Sequence, residues 1–348
     1  MSLQALLGIE LPLIQAPMAG VQDHALAAAV SNTGALGSLP CAMLDATGLR
    51  RELTALAGKT SKPYNLNFFC HTPPAPQPQQ EAAWREALSP YYAELGIDPA
   101  SIASGPGRQP FSAEMAELLE EFRPAVVSFH FGLPEAALLA RVKACGAKVL
   151  SSATTVEEAL WLEAHGVDAI IAQGLEAGGH RGHFLDMDIS RQLGTFALLP
   201  QIIAAVRLPV IAAGGIADAQ GVRAAMALGA AGVQIGSAYL CCFEASTSAI
   251  HRAALHSPAA RHTALTNLFS GRPARGIVNR LMRELGPISP LAPAFPLATA
   301  AIAPLRSKAE SQGSGDFSPL WAGQNASGCK SIGAAELTRE LAQGFARH

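Results

Sequence analysis

Eight short apolar or β-branched runs recur along this chain, at residues 13–17, 35–39, 64–69, 125–131, 148–152, 167–172, 209–213 and 232–235, with alanine-rich helical patterns between them. Runs that are apolar almost throughout suit strands buried on both faces, as a parallel sheet requires. The intervening patterns at 25–31, 134–145, 156–165 and 217–228 supply crossovers, the last followed by Gly229, a residue that readily ends a helix. Eight β-then-α units predict an α/β fold of the closed (β/α)8 TIM-barrel type rather than an open doubly wound sheet. The chain has 348 residues, 49% of them hydrophobic. It can therefore build such a barrel, which takes about 250 residues, and an appendage.

Two regions break the repeat. Pro73, Pro74, Pro76, Pro78 and Pro90, followed by Ser104-Gly105-Pro106-Gly107, mark an insertion between the third and fourth strands, with a helix near 81–88. Beyond the eighth run lie a Pro/Ala-rich stretch at 287–304, a Gly/Ser-rich stretch at 311–318 and a helical pattern at 334–346. The expected division is a barrel core over 1–240 carrying the insertion 71–121, a smaller, mainly helical domain or insertion over 241–333, and a terminal helix over 334–348 packing on the barrel.

Charge and cysteine usage exclude several function classes. Lys and Arg number 25 against 27 Asp and Glu, for a net charge of −2, and no basic stripe suggests a nucleic-acid partner. No apolar run approaches the roughly 18 residues of a membrane span. The chain does not open on a basic region followed by an apolar one, so a cytoplasmic enzyme, monomer or homodimer, is expected. The six cysteines at 41, 70, 145, 241, 242 and 329 form no Cys-x-x-Cys and indicate neither a disulfide framework nor a metal site.

In a (β/α)8 barrel the chemistry sits at the C-terminal ends of the strands. Those ends carry Ala16, Pro17 and Met18 after the first strand, Asn67 in the third and His130 in the fourth, with His71 just past the third. The sixth leads through Gln173 into Gly174, Gly178, Gly179, His180 and Gly182. Gly214-Gly215 and Gln234-Ile235-Gly236-Ser237 end the seventh and eighth, where barrels commonly hold a phosphate on loop N–H groups. Neither a P-loop nor a Gly-x-Gly-x-x-Gly after the first strand is present, which disfavours ATP on a P-loop and a Rossmann dinucleotide. A phosphate belonging to FMN makes the remaining features coherent: Asn67 and Gln173 offer neutral amides to a neutral ring, and His180 stands on its open face.

The phrases at 12–20 (Pro-Leu-Ile-Gln-Ala-Pro-Met-Ala-Gly), 65–71 (Asn-Leu-Asn-Phe-Phe-Cys-His), 128–134 (Ser-Phe-His-Phe-Gly-Leu-Pro), 173–182 (Gln-Gly-Leu-Glu-Ala-Gly-Gly-His-Arg-Gly), 211–218 (Ile-Ala-Ala-Gly-Gly-Ile-Ala-Asp) and 320–324 (Leu-Trp-Ala-Gly-Gln) resemble those of the nitronate monooxygenases, and several resemble the class I branch. The glycine motifs are shared with the FMN-dependent enoyl-ACP reductases. The resemblance implies an FMN enzyme that oxidises alkyl nitronates, propionate 3-nitronate above all, with O2 to an aldehyde plus nitrite and nitrate. It places FMN on Asn67, Gln173, Gly178, Gly215 and Gln234-Ile235-Gly236-Ser237, and makes His180 the active-site histidine. Trp321 and Gln324 are then expected near the flavin, and His71 and His130 in the substrate pocket. His180 would hold the nitro oxygens, act as base on neutral nitroalkanes and, when protonated, attract the anion, so that binding weakens as pH rises. Two rival readings share the barrel: an NAD(P)H-dependent flavin reductase of the enoyl-ACP reductase or quinone reductase type, and a non-catalytic FMN-binding protein.

Overall fold

A computed structural model describes residues 2–102 and 108–346; the turn signal at 104–107 lies outside the described residues. In chain order the strands are β1 (Leu13–Gln15), β2 (Gly37–Pro40), β3 (Tyr64–Phe69), β4 (Val126–His130), β5 (Lys148–Ala153), β6 (Ala169–Gln173), a two-residue β7 (Gly179–His180), β8 (Val210–Ala213), β9 (Gly232–Ile235), β10 (Thr263–Thr266) and β11 (Ala274–Ile277). Eight of them form one sheet in the order β1-β9-β8-β6-β5-β4-β3-β2, every pairing parallel. A further parallel bridge from Ile14 to Leu36 joins β1 to the approach of β2 and closes the ring. All eight apolar runs read from the sequence become barrel strands, β3 and β9 with the expected boundaries.

Alternation along these strands explains where a cavity can open. Successive residues of a strand face opposite sides, and one set turns outward into the layer of helices, as Val127 and Phe129 of β4 do. The inward set is apolar at the N-terminal ends, where Ile14, Val126, Leu150, Ala169 and Ile211 cluster with Leu3 and Leu7 of the short helix Leu3–Leu7. Toward the C-terminal ends the same set becomes polar, with Asn67, Ser128, His130, Ser152 and Gln173. One end of the barrel is thus filled with hydrocarbon and the other left open and hydrogen-bonding.

The helix Ala113–Phe122 packs between Ala46–Ala57 and Ala136–Ala144 in the outer ring. The helix Ala334–Ala342 lies against His24–Ser31 and Ala219–Ala227. It buries Ala334, Leu337 and Leu341 in the main core, and its Thr338 hydroxyl meets the Tyr239 hydroxyl at 2.9 Å. It occupies the place of the eighth crossover, so the last β/α unit is completed only after a long excursion.

That excursion shares a second hydrophobic core with the insertion after β3. Trp84, Leu88, Tyr91 and Tyr92 of the helix Pro78–Leu95 pack with Leu281, Leu305 and Phe317, and the Tyr92 hydroxyl donates to the Ala301 carbonyl at 2.7 Å. The excursion also contains strands: β10 and β11 form an antiparallel pair, and β11 continues onto β7 with Ala274 opposite His180. This small second sheet fixes the backbone of the histidine.

Candidate active site

The Gln173–Gly182 segment is held by its own buried side chains. Gln173 donates from Nε2 to the His180 carbonyl (3.0 Å) and accepts from the Gly182 N–H at Oε1 (2.7 Å), folding the loop back onto the strand that emits it. Arg181 is fully buried, and its guanidinium donates to the carbonyls of Gly174 and Gln173 and to Gln192 Oε1, all within 2.8 Å. Glu176 accepts from the N–H and hydroxyl of Thr195, the first residue of the helix Thr195–Ala205, and so satisfies N–H groups that a helix start leaves open. The acidic residue of this motif is a cap.

These contacts present His180 to the cavity with one nitrogen engaged. Its Nε2 lies 2.8 Å from Ser270 Oγ, and its carbonyl is also contacted by His130 Nε2 at 3.1 Å. His130 Nδ1 is in turn 3.1 Å from Ser152 Oγ. A carbonyl only accepts, so His130 carries its proton on Nε2 and its Nδ1 accepts from Ser152. Around His180 stand the rings of Trp321 (5.6 Å between centroids), Phe295 (5.4 Å) and Phe69 (6.2 Å).

The cavity at the C-terminal mouth spans about 1330 Å³, open solvent at its entrance included. Ala16, Pro17, Met18, Asn67, Gln173, Gly178, Gly179, Gly214, Gly215, Gln234, Ile235, Gly236 and Ser237 all line it, as do His180, His130 and Trp321. Two expected residues are placed elsewhere. His71 turns behind the wall, its Nε2 3.1 Å from the Arg108 carbonyl, and Gln324 meets the Glu176 carbonyl through its backbone N–H. His183 is buried away from the cavity. The residues 321–325 nonetheless close one side, because Gly323 N–H donates to Ser237 Oγ (2.8 Å) and Gly178 has no side chain to push them away. A Cβ on Gly178 would come within 2.5 Å of the Gly323 nitrogen.

A family model described as nitronate monooxygenase matches residues 1–344. The chain belongs to the nitronate monooxygenase family. It is 45% identical to nitronate monooxygenase of Pseudomonas aeruginosa over 97% of both chains, and 45% identical to that of Paraburkholderia phytofirmans over 98% of this chain and 93% of the relative. Among solved structures it resembles nitroalkane oxidase from Streptomyces ansochromogenes, with a TM-score of 0.90, 36% identity and 99% of each chain covered. It also resembles FabK from Thermotoga maritima, with a TM-score of 0.73 and 25% identity over 99% of this chain and 96% of that one.

Electrostatics add to the site what its motifs do not show. Burial, then the charge of Arg108, the neighbouring His130, Arg272 and His71, hold His180 well below the ordinary imidazole range. Burial likewise lowers His130 and His71 to about 4 and His183 to about 3. His180 is therefore neutral near neutral pH, and the attraction for an anion expected from its protonated form does not arise. Positive charge at the mouth comes from guanidinium groups instead. Arg272 lies 4.0 Å from the Phe131 ring centroid and donates to the His183 carbonyl; Arg108 lies on the cavity wall. Neither belongs to a strand-end phrase, so the reading of strand ends gave no signal for them. Ser270 was missed for a related reason, since it reaches His180 only through the β7–β11 pairing.

Proposed function

We propose that this chain is an FMN-dependent enzyme that oxidises alkyl nitronates with O2 to an aldehyde plus nitrite and nitrate. The observation that carries the proposal is the placement of His180, held by Gln173, His130 and Ser270, over a glycine-lined cavity in a chain of the nitronate monooxygenase family. Three features of the cavity fit a flavin. Gln234 Oε1 is buried at its wall with no partner among the described residues, leaving an acceptor for a donor on the ring or ribityl chain. Gly179 has φ +71 and empty space where a Cβ would stand, which lets a flat group approach the backbone. Gly215 and Gly236 line the mouth where the seventh and eighth barrel strands end, the place such barrels use for phosphate.

In this reading Gly215, Gly236 and Ser237 hold the phosphate end, Asn67, Gln173 and Gln234 the polar edges, and Ala16 to Met18 the opposite wall. FMN supplies one-electron chemistry between the nitronate and O2. The protein's own part is binding and proton control. Neutral His180 offers a hydrogen bond to a nitronate oxygen when Ser270 donates to its Nε2, since the ring proton then sits on Nδ1. In the other tautomer Nδ1 accepts, and the ring can take the α-proton of a neutral nitroalkane. Phe69 and Trp321, which line the cavity beside His180, restrict water around the reacting carbon.

The direct test mixes the purified yellow protein with propionate 3-nitronate in air and measures nitrite; release over many turnovers is expected. Rapid anaerobic bleaching of the flavin by NADH, with no nitrite formed from nitronate, would instead make the protein a nicotinamide-dependent reductase. His180→Asn is expected to keep flavin bound and to cost about 10²-fold or more with neutral nitroalkanes, the usual scale for a lost general base.

A further inference from the structure

Arg108 is a cation built into the cavity wall, with no counter-ion among the described residues. Its carbonyl is fixed by His71 Nε2, and its guanidinium carbon lies 5.7 Å from the centroid of the Phe295 ring. The charges that act on it come from burial and from Arg306, and no carboxylate contributes. Residues 103–107, which precede it, contain no acid. A desolvated guanidinium with no anionic partner is costly, so such a group on a pocket wall is matched by charge on the ligand.

His180 packs on the same Phe295 ring, 5.4 Å between centroids, so Arg108 and His180 both stand beside one aromatic side chain. A ligand whose nitronate meets His180 leaves Arg108 facing whatever that ligand carries a short chain away. Arg272 does not take this role, because it stacks on Phe131, bonds the His183 carbonyl and stands off the cavity wall.

We propose that Arg108 is the specificity-determining residue of this enzyme, binding a second anionic group, such as a carboxylate, carried on a short chain from the nitronate carbon. The assignment rests on the nitronate reading above for the first anion and on the unpaired guanidinium for the second. The guanidinium fork suits a planar carboxylate through two parallel hydrogen bonds, and Phe69, which lines the same cavity, offers an apolar surface to the intervening methylene groups. Simple alkyl nitronates then bind through His180 and apolar contact alone.

The test compares propionate 3-nitronate with propyl 1-nitronate on the holoenzyme, alongside calorimetric binding of succinate and butyrate, in which a carboxylate stands in for the isosteric nitronate. Arg108→Met is expected to lower kcat/KM for propionate 3-nitronate about 100-fold, the scale of a broken buried charge contact, and to change propyl 1-nitronate less than about threefold. Arg108→Lys, which keeps the charge but loses the fork, should recover part of the loss. Succinate should bind the wild type more tightly than butyrate, and Arg108→Met should abolish that preference. An equal loss on both nitronates would mean that Arg108 holds the nitronate itself and would overturn the proposal, as would no loss on either. Arg108-dependent succinate binding by a protein that oxidises neither nitronate would sink the oxygenase reading and leave the anion site standing.

Discussion

His180 Nε2 and Ser270 Oγ lie 2.8 Å apart, although 90 residues separate them in the chain. The contact exists because β7, which carries His180, pairs with β11, and Ser270 sits in the connection that delivers β11. Ser270 engages Nε2 in either tautomer and so holds the way the ring faces. It is a positioning residue, and its removal should act on turnover more than on binding.

Ser270→Ala is accordingly expected to lower kcat on nitronates roughly tenfold while changing KM less than about threefold, since one oriented hydrogen bond is lost and the pocket wall is kept. Steady-state nitrite release checks it. A rise in KM with kcat intact would show that Ser270 serves binding instead.

The pH dependence should be flat where a histidine-driven mechanism would titrate. His180 is held well below its ordinary range by burial and by Arg108, so raising the pH from about 6.5 to 8 removes no proton from it, and the guanidinium groups stay charged throughout. For a preformed nitronate, kcat/KM should vary less than about twofold over that window. A fall centred near pH 7 would count against a neutral His180.

Cofactor retention should depend on Gly178. In Gly178→Ala the new Cβ meets the Gly323 nitrogen at 2.5 Å, which forces residues 321–325 away from the cavity and weakens the contact of Gly323 with Ser237. The variant is expected to be purified with less than half the flavin of the wild type, read from the visible absorbance per protein. Gly58→Ala, where φ is −75° and the added Cβ meets nothing closer than 3.6 Å, is a control that should retain its flavin.

Folding stability should decline in mild acid. His130 and His183 are lowered to about 4 and about 3 in the folded protein, chiefly by burial, against roughly 6.5 in an unfolded chain. Above pH 6.5 both states are neutral and the stability is fully present. As the pH falls below 6.5 the unfolded chain takes up protons that the folded one refuses, and stability is lost progressively toward pH 4. With each buried ring contributing on the order of 2 kcal/mol, Tm should drop by about 5 °C or more between pH 6.5 and 4.5, measured by calorimetry. A Tm that holds steady across this interval would contradict the burial of the two rings as neutral species.

Much of the fold was legible in the residues because its signals are local. Runs such as Tyr64–Phe69 and Gly232–Ile235 are buried on both faces wherever they stand in a parallel barrel, so composition alone marks them. Glycines that end strands mark loops at one rim for the same reason, and most of the residues read from those rims, His71 among the exceptions, line one cavity. Contacts between distant segments were not legible. The β10–β11 hairpin was invisible because its strands are four residues each and its purpose, to pair with Gly179–His180, lies far away in sequence.

The sequence by itself determined the eight-fold β/α rhythm, the strand ends that carry polar groups, and the family. Periodicity and motif are properties of neighbours along the chain, and they survive without coordinates. Only the tertiary structure decided that burial holds His180 below the ordinary imidazole range, that Ser270 orients it, that His71 stands behind the wall and that Arg108 faces the cavity with no carboxylate beside it among the described residues. Burial and charge are sums over everything packed around a group, and that packing joins the insertion, the barrel and the long final excursion, which meet only when the chain is folded.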